Sequence, residues 1–481
     1  MHVKRTLQDP AWRRGILTLL LLAGVATSAA AQSADQSAPV PAVSPLLSTA
    51  ALPTPSRTST PAPAASTSSP ASTSSSGSAS FLDSAPLPTT RAGWEGFGTA
   101  SQAGAGQGTL EIYGFGQADA IADFKQINPQ WYDSARPSRL PAFANQFGED
   151  GRFYLSPRQS RLGVKGELPT SDGNVKGQFE FDMFGVGPDA GVTTIRLRHA
   201  WGQWKQIGAG QTNSQFMDVD VFPNVLDYWG PNGMLFFRNT QVFYEFRNDA
   251  RFQGAVAIEA PGASGDGGVY ADRIELQNIQ PRFPLPDLTG HLRIKSKKGY
   301  LQIGGIVREI KYDDLIPNDQ FNLSGSVTGW GFSLSSNVNA TKNDVLRLQY
   351  VYGHGIQIYF NDAPIDVGVQ SNPGNTITPI IGKALPVTGV VAFIDHNWND
   401  KMSTSVGYSF VNVDNSDLES PSDYHHGNYF IANVLTTPVK NVMMGGEFQW
   451  IQRHNFSDGF TVDDVRLQFS FKYSFGMKFG G

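Results

Sequence analysis

Thirteen cationic side chains, Arg161, Lys165, Lys176, Arg196, Arg198, Arg247, Arg251, Arg293, Lys295, Arg308, Arg347, Arg466 and Lys472, lie on the opposite face from apolar neighbours in short alternating stretches. A guanidinium meets a carboxylate through two parallel N–H···O bonds, and an ammonium attracts one as a point charge. The chemistry such a set offers is reversible attraction of small anions, organic acids among them. Carboxylates on the same faces are fewer: Glu111, Asp119, Glu167, Glu180, Asp182, Glu245, Glu259 and Glu447. Two readings are open. Either the charges pair and merely hydrate a wall, or a surplus of cations in a narrow space focuses the field and favours anions.

A second group is compact in sequence. Phe216, Asp218, Asp220, Asp227 and Tyr228 fall within Phe216 to Pro231, together with Phe222 and Trp229. Set across a passage from a basic wall, these carboxylates would create a transverse field that admits small polar solutes and rejects apolar ones; the competing reading is an exposed loop with solvated charges. Other constellations are weaker. His425 and His426 stand beside Asp423 but have no further ligand in metal-binding spacing, so no metal site and no cofactor are expected. No nucleophile motif and no Ser/His pair can be placed, so an enzyme is not expected either.

The positioning elements are strands. In the closing stretch Val465, Leu467, Phe469, Phe471, Tyr473 and Phe475 alternate with Arg466, Gln468, Ser470, Lys472 and Ser474. A period of two puts one set on each face of a strand. The same rhythm runs through Val175 to Asp182, Ile195 to Trp201, Leu288 to Lys295, Leu346 to Tyr352 and Met402 to Phe410, although His199 breaks it by falling on the apolar side. Tight polar breaks at 169–174, 297–299, 341–344, 397–401 and 437–441 alternate with long Gly/Asp/Pro-rich intervals at 128–156, 216–239, 261–287, 313–325, 354–386 and 412–428. Short connections on one rim and long ones on the other describe an all-β, transmembrane antiparallel β-barrel of about sixteen strands over residues 109–481. A secreted β-sandwich would also alternate. Against it stand Tyr113, Phe115, Trp201, Trp204, Trp398, Tyr408, Phe410, Tyr429, Trp450, Tyr473 and Phe475, which cluster toward strand ends as interfacial girdles do.

The chain before the barrel is different. Lys4, Arg5, Arg13 and Arg14, an apolar run from Ile16 to Ala26 and then Ala29 to Ala31 form the pattern of a secretory signal peptide over 1–31, an uncleaved anchor being the alternative. Residues 32–108 are rich in Pro, Ser, Thr, Ala and Gly, with almost nothing to bury, and read as a disordered extension. Cleavage would remove four cations and one acid from 37 Lys+Arg and 42 Asp+Glu, taking the net charge from −5 to −8. An acidic total argues against nucleic acid as a partner, and the absence of Cys excludes disulfides and thiolate metal sites.

Ser160–Gly163, Phe179–Gly185, Arg196–Gly202, Ala209–Thr212 and Phe216–Asp218, with Val439–Asn441 followed by Gly446–Phe448, resemble the DcaP-like trimeric outer-membrane porins, in order and from about Thr109 to Phe475. The resemblance implies a sixteen-stranded barrel assembled as a homotrimer in the outer membrane of a Gram-negative bacterium. It further implies passive diffusion of small anionic solutes and a constriction formed by the segment after Thr212 folding into the lumen. Membrane lipid and lipopolysaccharide are then expected partners, with the acidic cluster Asp414, Asp417, Glu419 and Asp423 holding divalent cations or forming a plain exposed loop. Two features depart from the family: residues 32–90 carry no heptads, and the chain runs on from Phe475 to Phe479. The rival function is an adhesin or receptor barrel without general channel activity.

Overall fold

Leu110 through Asp123 pair antiparallel with Phe479 through Arg466, so the first and last strands are neighbours and the sheet closes on itself. The computed structural model describes residues 108–316 and 319–480; the expected leader over 1–31 and, Gly108 excepted, the expected extension lie outside them. The strands are β1 (Thr109–Asp123), β2 (Arg152–Ser156 and Arg161–Thr170), β3 (Gly173–Phe184), β4 (Thr193–Trp204), β5 (Ile207–Asn213), β6 (Arg238–Asn248), β7 (Phe252–Glu259) and β8 (Ile279–Arg282 and Asp287–Ser296). They continue as β9 (Gly299–Asp314), β10 (Gly325–Asn339), β11 (Asp344–His354), β12 (Pro386–Asn399), β13 (Met402–Val413), β14 (Tyr424–Val439), β15 (Val442–Asn455) and β16 (Thr461–Phe479). The two parts of β2 both pair with β1, and those of β8 both pair with β9, so the eighteen segments of the sheet make sixteen barrel strands.

Every pair in the ring is antiparallel and, apart from the closing pair of β1 and β16, adjacent in sequence, which satisfies the backbone without leaving an edge in hydrocarbon. The turns after even-numbered strands are short. Asn441 takes φ 70° and Lys205 φ 54°, the left-handed backbone that a two-residue hairpin requires. Gly299 does the same at φ 129°, where a Cβ would collide with the carbonyl oxygen of Asn337. The other rim carries long connections, including a separate hairpin of Val367–Ser371 with Ile380–Ala384. Outward positions are apolar and exposed, Leu467, Phe469, Phe471, Tyr473 and Phe475 among them, with the alternation continuing through Met477 and Phe479. Strands of roughly 10 residues suffice to cross a bilayer.

Not every aromatic residue expected in a girdle faces outward. Trp204, Trp398, Tyr408, Tyr473 and Phe475 are exposed on the lipid side. Tyr113 instead donates its hydroxyl to Glu180 at 2.8 Å, Phe115 lies under the Arg161 guanidinium, and Trp201 and Tyr429 are buried inside. For Trp201 the cause is a β-bulge: Glu180 pairs with His199 but Phe181 pairs with Leu197, leaving Arg198 extra. One added residue reverses the facing of every later position in the strand. His199 therefore turns inward, where its Nδ1 is 3.1 Å from Thr212 Oγ1, and Trp201 goes with it to donate to Gln178 at 3.1 Å.

The apolar core is inside the barrel and is made by loops. Phe216, Met217 and Leu235 pack with Ile356, Tyr359, Phe360 and Leu385, and with Val387, Val411 and Val413 of the wall. Ile127, Ala135 and Leu140 pack with Val221, Met234, Phe393, Tyr429 and Ile431. Three long connections, 124–151, 214–237 and 355–385, thus enter the lumen and bury their apolar residues against one another. A barrel interior of this width needs such filling to narrow its water channel.

Candidate functional site

The segment between Asn213 and Arg238 is held to the inner wall at successive points around the ring. Ser214 Oγ and Gln215 N donate to Glu259 Oε1 at 2.8 and 2.9 Å. A short turn at Val219–Val221 is capped by Asp218, which accepts the N–H of Asp220 at 3.1 Å. Asp218 is also 2.6 Å from Arg293 on β8 and accepts from Tyr300 and Ser335 at 2.8 and 2.6 Å. Asp220 meets the same Arg293 through its carboxylate and Arg347 through its carbonyl.

The next anchor is on β15. Glu447 accepts the backbone N–H of Leu226 at 2.6 Å and of Asp227 at 2.9 Å. Asp227 then accepts from the N–H of Ala135 and Gly230, both at 2.9 Å, and from the Tyr429 hydroxyl at 3.0 Å. Burial pushes the Asp227 carboxyl up to about 6 against these stabilising bonds. Farther on, Gly233 N donates to Ser409 at 2.9 Å and Leu235 N to Gln349 at 3.0 Å. A loop inside a barrel has no sheet to satisfy its backbone, so wall side chains supply the acceptors.

Tyr228 carries the loop to β3 and β4. Its hydroxyl meets Asp182, Arg196 and Arg198, the last at 2.8 Å. Arg196 is 2.8 Å from Asp182; Arg198 is 2.6 Å from Glu180 and 2.8 Å from Asp182. Arg161 is 3.6 Å from Glu180, and its side chain keeps 25% of its exposure. Arg238 lies within electrostatic reach of Arg196, Arg198 and Asp182, has no carboxylate partner among the described residues, and leaves Nη1 without a hydrogen-bond partner. Lys472 sits over the Phe115 ring at 5.2 Å, within reach of Arg161. Around Tyr228 and along the adjoining wall, five cations therefore face three carboxylates, Glu180 and Asp182 together with Asp119, which lies within reach of Lys472.

The remaining sequence-derived positions divide. Arg293 joins the loop as described, and Lys165 pairs with Glu111 at 3.2 Å in the lower lumen, where Lys176 stands opposite Glu167 in register. Arg308 and Arg347 are inward but sequestered. Arg308 lies 3.2 Å from Asp287 and 3.4 Å from Asp366, tying down the loops at Gly262 and Gly355; Arg347 pairs with Asp395. Arg247 is not with the others: it sits half-exposed at the short-turn rim beside Asp249 at 2.7 Å, because a bulge between Tyr244 and Arg247 shifts the strand there. Within the loop, Phe216, Asp218 and Asp227 are buried anchors, while Asp220 and Tyr228 keep some access to water. Asp218 and Asp220 do not stand across the lumen from the basic wall; they lie directly on Arg293.

Sequence reasoning missed Arg238, since alternation counted from Val242 and Tyr244 puts it on the lipid side. It also missed the buried pairs Arg158–Asp133 at 2.6 Å and Arg136–Asp362 at 2.7 Å, which fix the 124–151 loop. Neither has a periodic signal. No grouping of His, Cys, Asp or Glu suited to a metal ion occurs among the described residues, and His425 Nδ1 faces Asn415 at 3.0 Å. In the acidic loop, burial raises Glu419 to about 7 and Asp423 to about 6.

The family model described as DcaP outer membrane protein matches residues 97–475. Among solved structures, the chain is similar to the outer membrane channel DcaP of Acinetobacter baumannii, with 20% identity and a TM-score of 0.62, covering 76% of this chain and 97% of that one. It is also similar to an anion-selective porin from Comamonas acidovorans, with 10% identity and a TM-score of 0.49, covering 76% of this chain and all (100%) of that one. No curated protein sequence matches.

Proposed function

The chain belongs to the DcaP outer membrane protein family and is a porin of the Gram-negative outer membrane, and we propose that it passes small anionic solutes, organic acids in particular, by diffusion past Tyr228. One observation carries the proposal: five cations, Lys472, Arg161, Arg196, Arg198 and Arg238, to three carboxylates, Glu180, Asp182 and Asp119, where the inserted loop meets the wall. A surplus of fixed positive charge in a low-dielectric passage raises the local concentration of anions and lowers their barrier. Guanidinium geometry suits carboxylate solutes, which can exchange between neighbouring forks.

The test is a reversal potential across planar bilayers under a KCl gradient. Replacing Arg161 and Arg238 together by Glu changes the local balance by four charges without stripping Glu180 or Asp182 of Arg198. The anion preference should fall or invert; an unchanged potential overturns the reading. Liposome swelling with dicarboxylates against neutral sugars of equal size then separates a porin from a receptor barrel, which would show neither flux. The proposal includes a homotrimer and a leader cleaved after Ala31, both supported by the sequence resemblance and the leader pattern. Native mass measurement in detergent and N-terminal sequencing of the mature chain check them.

A further inference from the structure

On the outer surface of β13 to β16 the lipid-facing pattern stops abruptly. Three successive register rows cross these four strands. Tyr408, Phe430, Trp450 and Val465 form the first; Phe410, Asn428, Gln452 and Asp463 the second; Asn412, His426, His454 and Thr461 the third. Two residues advance a strand by about 6.6 Å, which a tilt near 40° reduces to roughly 5 Å of height. The second and third rows therefore stand ~5 and ~10 Å above an aromatic row, at the depth of outer-leaflet headgroups.

The polar rows form a built surface. Asn412, His425, His426, His454, Asn455, Gly459, Phe460 and Thr461 line a groove of about 360 Å³. His425 reaches it through a bulge between Tyr424 and His426. His426 Nε2 lies 2.8 Å from Asn428 Oδ1, His454 Nε2 lies 2.8 Å from Gln452 Oε1, and His425 Nδ1 lies 3.0 Å from Asn415 Oδ1. An amide oxygen can only accept, so each of these ring nitrogens carries a proton. The second nitrogen of His425 and of His426 is thereby an acceptor when the ring is neutral and a donor when it is protonated, whereas His454 Nδ1 accepts the Thr461 hydroxyl at 3.0 Å. Asn428 Nδ2 in turn donates to Gln452 Oε1 at 2.9 Å, which fixes the row.

We propose that this groove binds the phosphorylated sugar headgroup of an outer-leaflet glycolipid, with His425 and His426 meeting the phosphate, His454 held beside them by Thr461 and Gln452, and the amides and the Thr461 hydroxyl oxygen meeting sugar hydroxyls. The occupant is set by position: a lipid-facing groove directly above an aromatic row is bathed in headgroups. Its chemistry matches, since neutral amides and a hydroxyl suit sugars, and neighbouring imidazoles suit a phosphate. The rings of His426 and His454 are 5.6 Å apart, so protonating both is unfavourable until an anion lies between them. The carboxylates beside the groove are not neutralised by their neutral donors, Asp414 accepting from Asn412, Asp458 from Asn455 and Asp423 from Ser420, while Asp463 pairs with Lys125, so a phosphate is attracted only once an imidazole is protonated. Phosphate binding therefore draws a proton onto the His426–His454 pair and strengthens as pH falls from 8 to 6.

Native mass spectrometry of the full chain in detergent tests this, with diphosphorylated lipid A as the probe at pH 6 and pH 8. The wild type should bind at least about tenfold more tightly at pH 6, in keeping with charge-assisted hydrogen bonds. His426→Gln combined with His454→Gln should remove that pH dependence, with conductance and heat-modifiable migration unchanged as the control for folding and channel function. Dephosphorylated lipid A should bind the wild type and the variant alike. Equal binding of lipid A to both proteins at pH 6, no loss on dephosphorylation, or displacement by millimolar inorganic phosphate as effectively as by lipid A would each overturn the proposal.

Discussion

Glu447→Ala is the most direct probe of what holds the lumen narrow. The carboxylate accepts two backbone N–H groups of the inserted loop, from Leu226 and Asp227, and two amides, from Asn433 at 3.0 Å and Gln449 at 2.9 Å. Hydrogen bonds to a charged acceptor contribute about 1.5–3 kcal/mol each. Against the two backbone bonds stands relief of a buried charge facing Asp227, so the net loss of local anchoring is about 2–4 kcal/mol. That shifts the opening equilibrium of the loop by ~30- to ~1000-fold. Release should be confined to residues 222–227, because the Asp218 cluster and Tyr228 hold either side. In planar bilayers the variant should show larger and noisier single-channel conductance, and Glu447→Gln, which keeps one acceptor oxygen, should fall between it and the wild type. Wild-type conductance in a Glu447→Ala barrel with normal heat-modifiable migration would refute the idea that this carboxylate fixes the constriction.

The same contacts lead to three further outcomes. Deleting Val219 to Leu226 should raise single-channel conductance more than Glu447→Ala does, and no rise would exclude this loop as the constriction. Arg293→Gln leaves buried Asp218 and partly exposed Asp220 without their cation, at a cost of about 3–5 kcal/mol set mainly by Asp218, and should lower the temperature of heat-modified unfolding in detergent, whereas an unaltered transition would show the pair to be dispensable. Asp227, pushed up to about 6 by burial, contributes stability that is fully present below its unfolded value near 4 and is lost as pH rises through 6. The wild-type unfolding temperature should therefore drop between pH 5 and 7 relative to that of Asp227→Asn, and parallel profiles for the two proteins would remove Asp227 as the cause.

Most of the barrel was legible because its signal is periodic. Leu467 to Phe475 on one face and Arg466 to Ser474 on the other have a single geometric meaning, and the tight breaks at 297–299 and 437–441 match hairpins in which Gly299 and Asn441 take positive φ. The strand around Ile207–Asn213, too short to bound from sequence, pairs fully with its neighbour. Alternation failed where one residue is inserted: the bulge at Arg198 sends His199 and Trp201 inward, and the one near Arg247 leaves that cation on the rim. Sequence placed Phe216 to Tyr228 in one segment but could not say which wall each residue meets. That depends on contacts such as Leu226 with Glu447, 221 positions apart, for which a single sequence holds no periodicity.

On the proposed function, the two readings of the cations that the sequence left open apply to different residues of the same lumen. Arg308 and Arg347 are buried against Asp287, Asp366 and Asp395, and Arg158 against Asp133; each also binds a loop carbonyl, so their charge is spent on fastening inserted loops. An ion pair of this kind is neutral to a passing solute and contributes order more than field. Arg161, Arg238 and Lys472 differ in kind. Arg161 and Arg238 stand at the wall of Glu180 and Asp182, but those carboxylates already serve Arg196 and Arg198, and Lys472 faces Asp119, which already accepts from Gln117, Gln468 and Ser470. Selectivity should therefore track this unmatched set and be insensitive to the number of Arg residues the lumen contains, so that neutralising Lys472 matters more to an anion than neutralising Arg308, provided the loops stay folded.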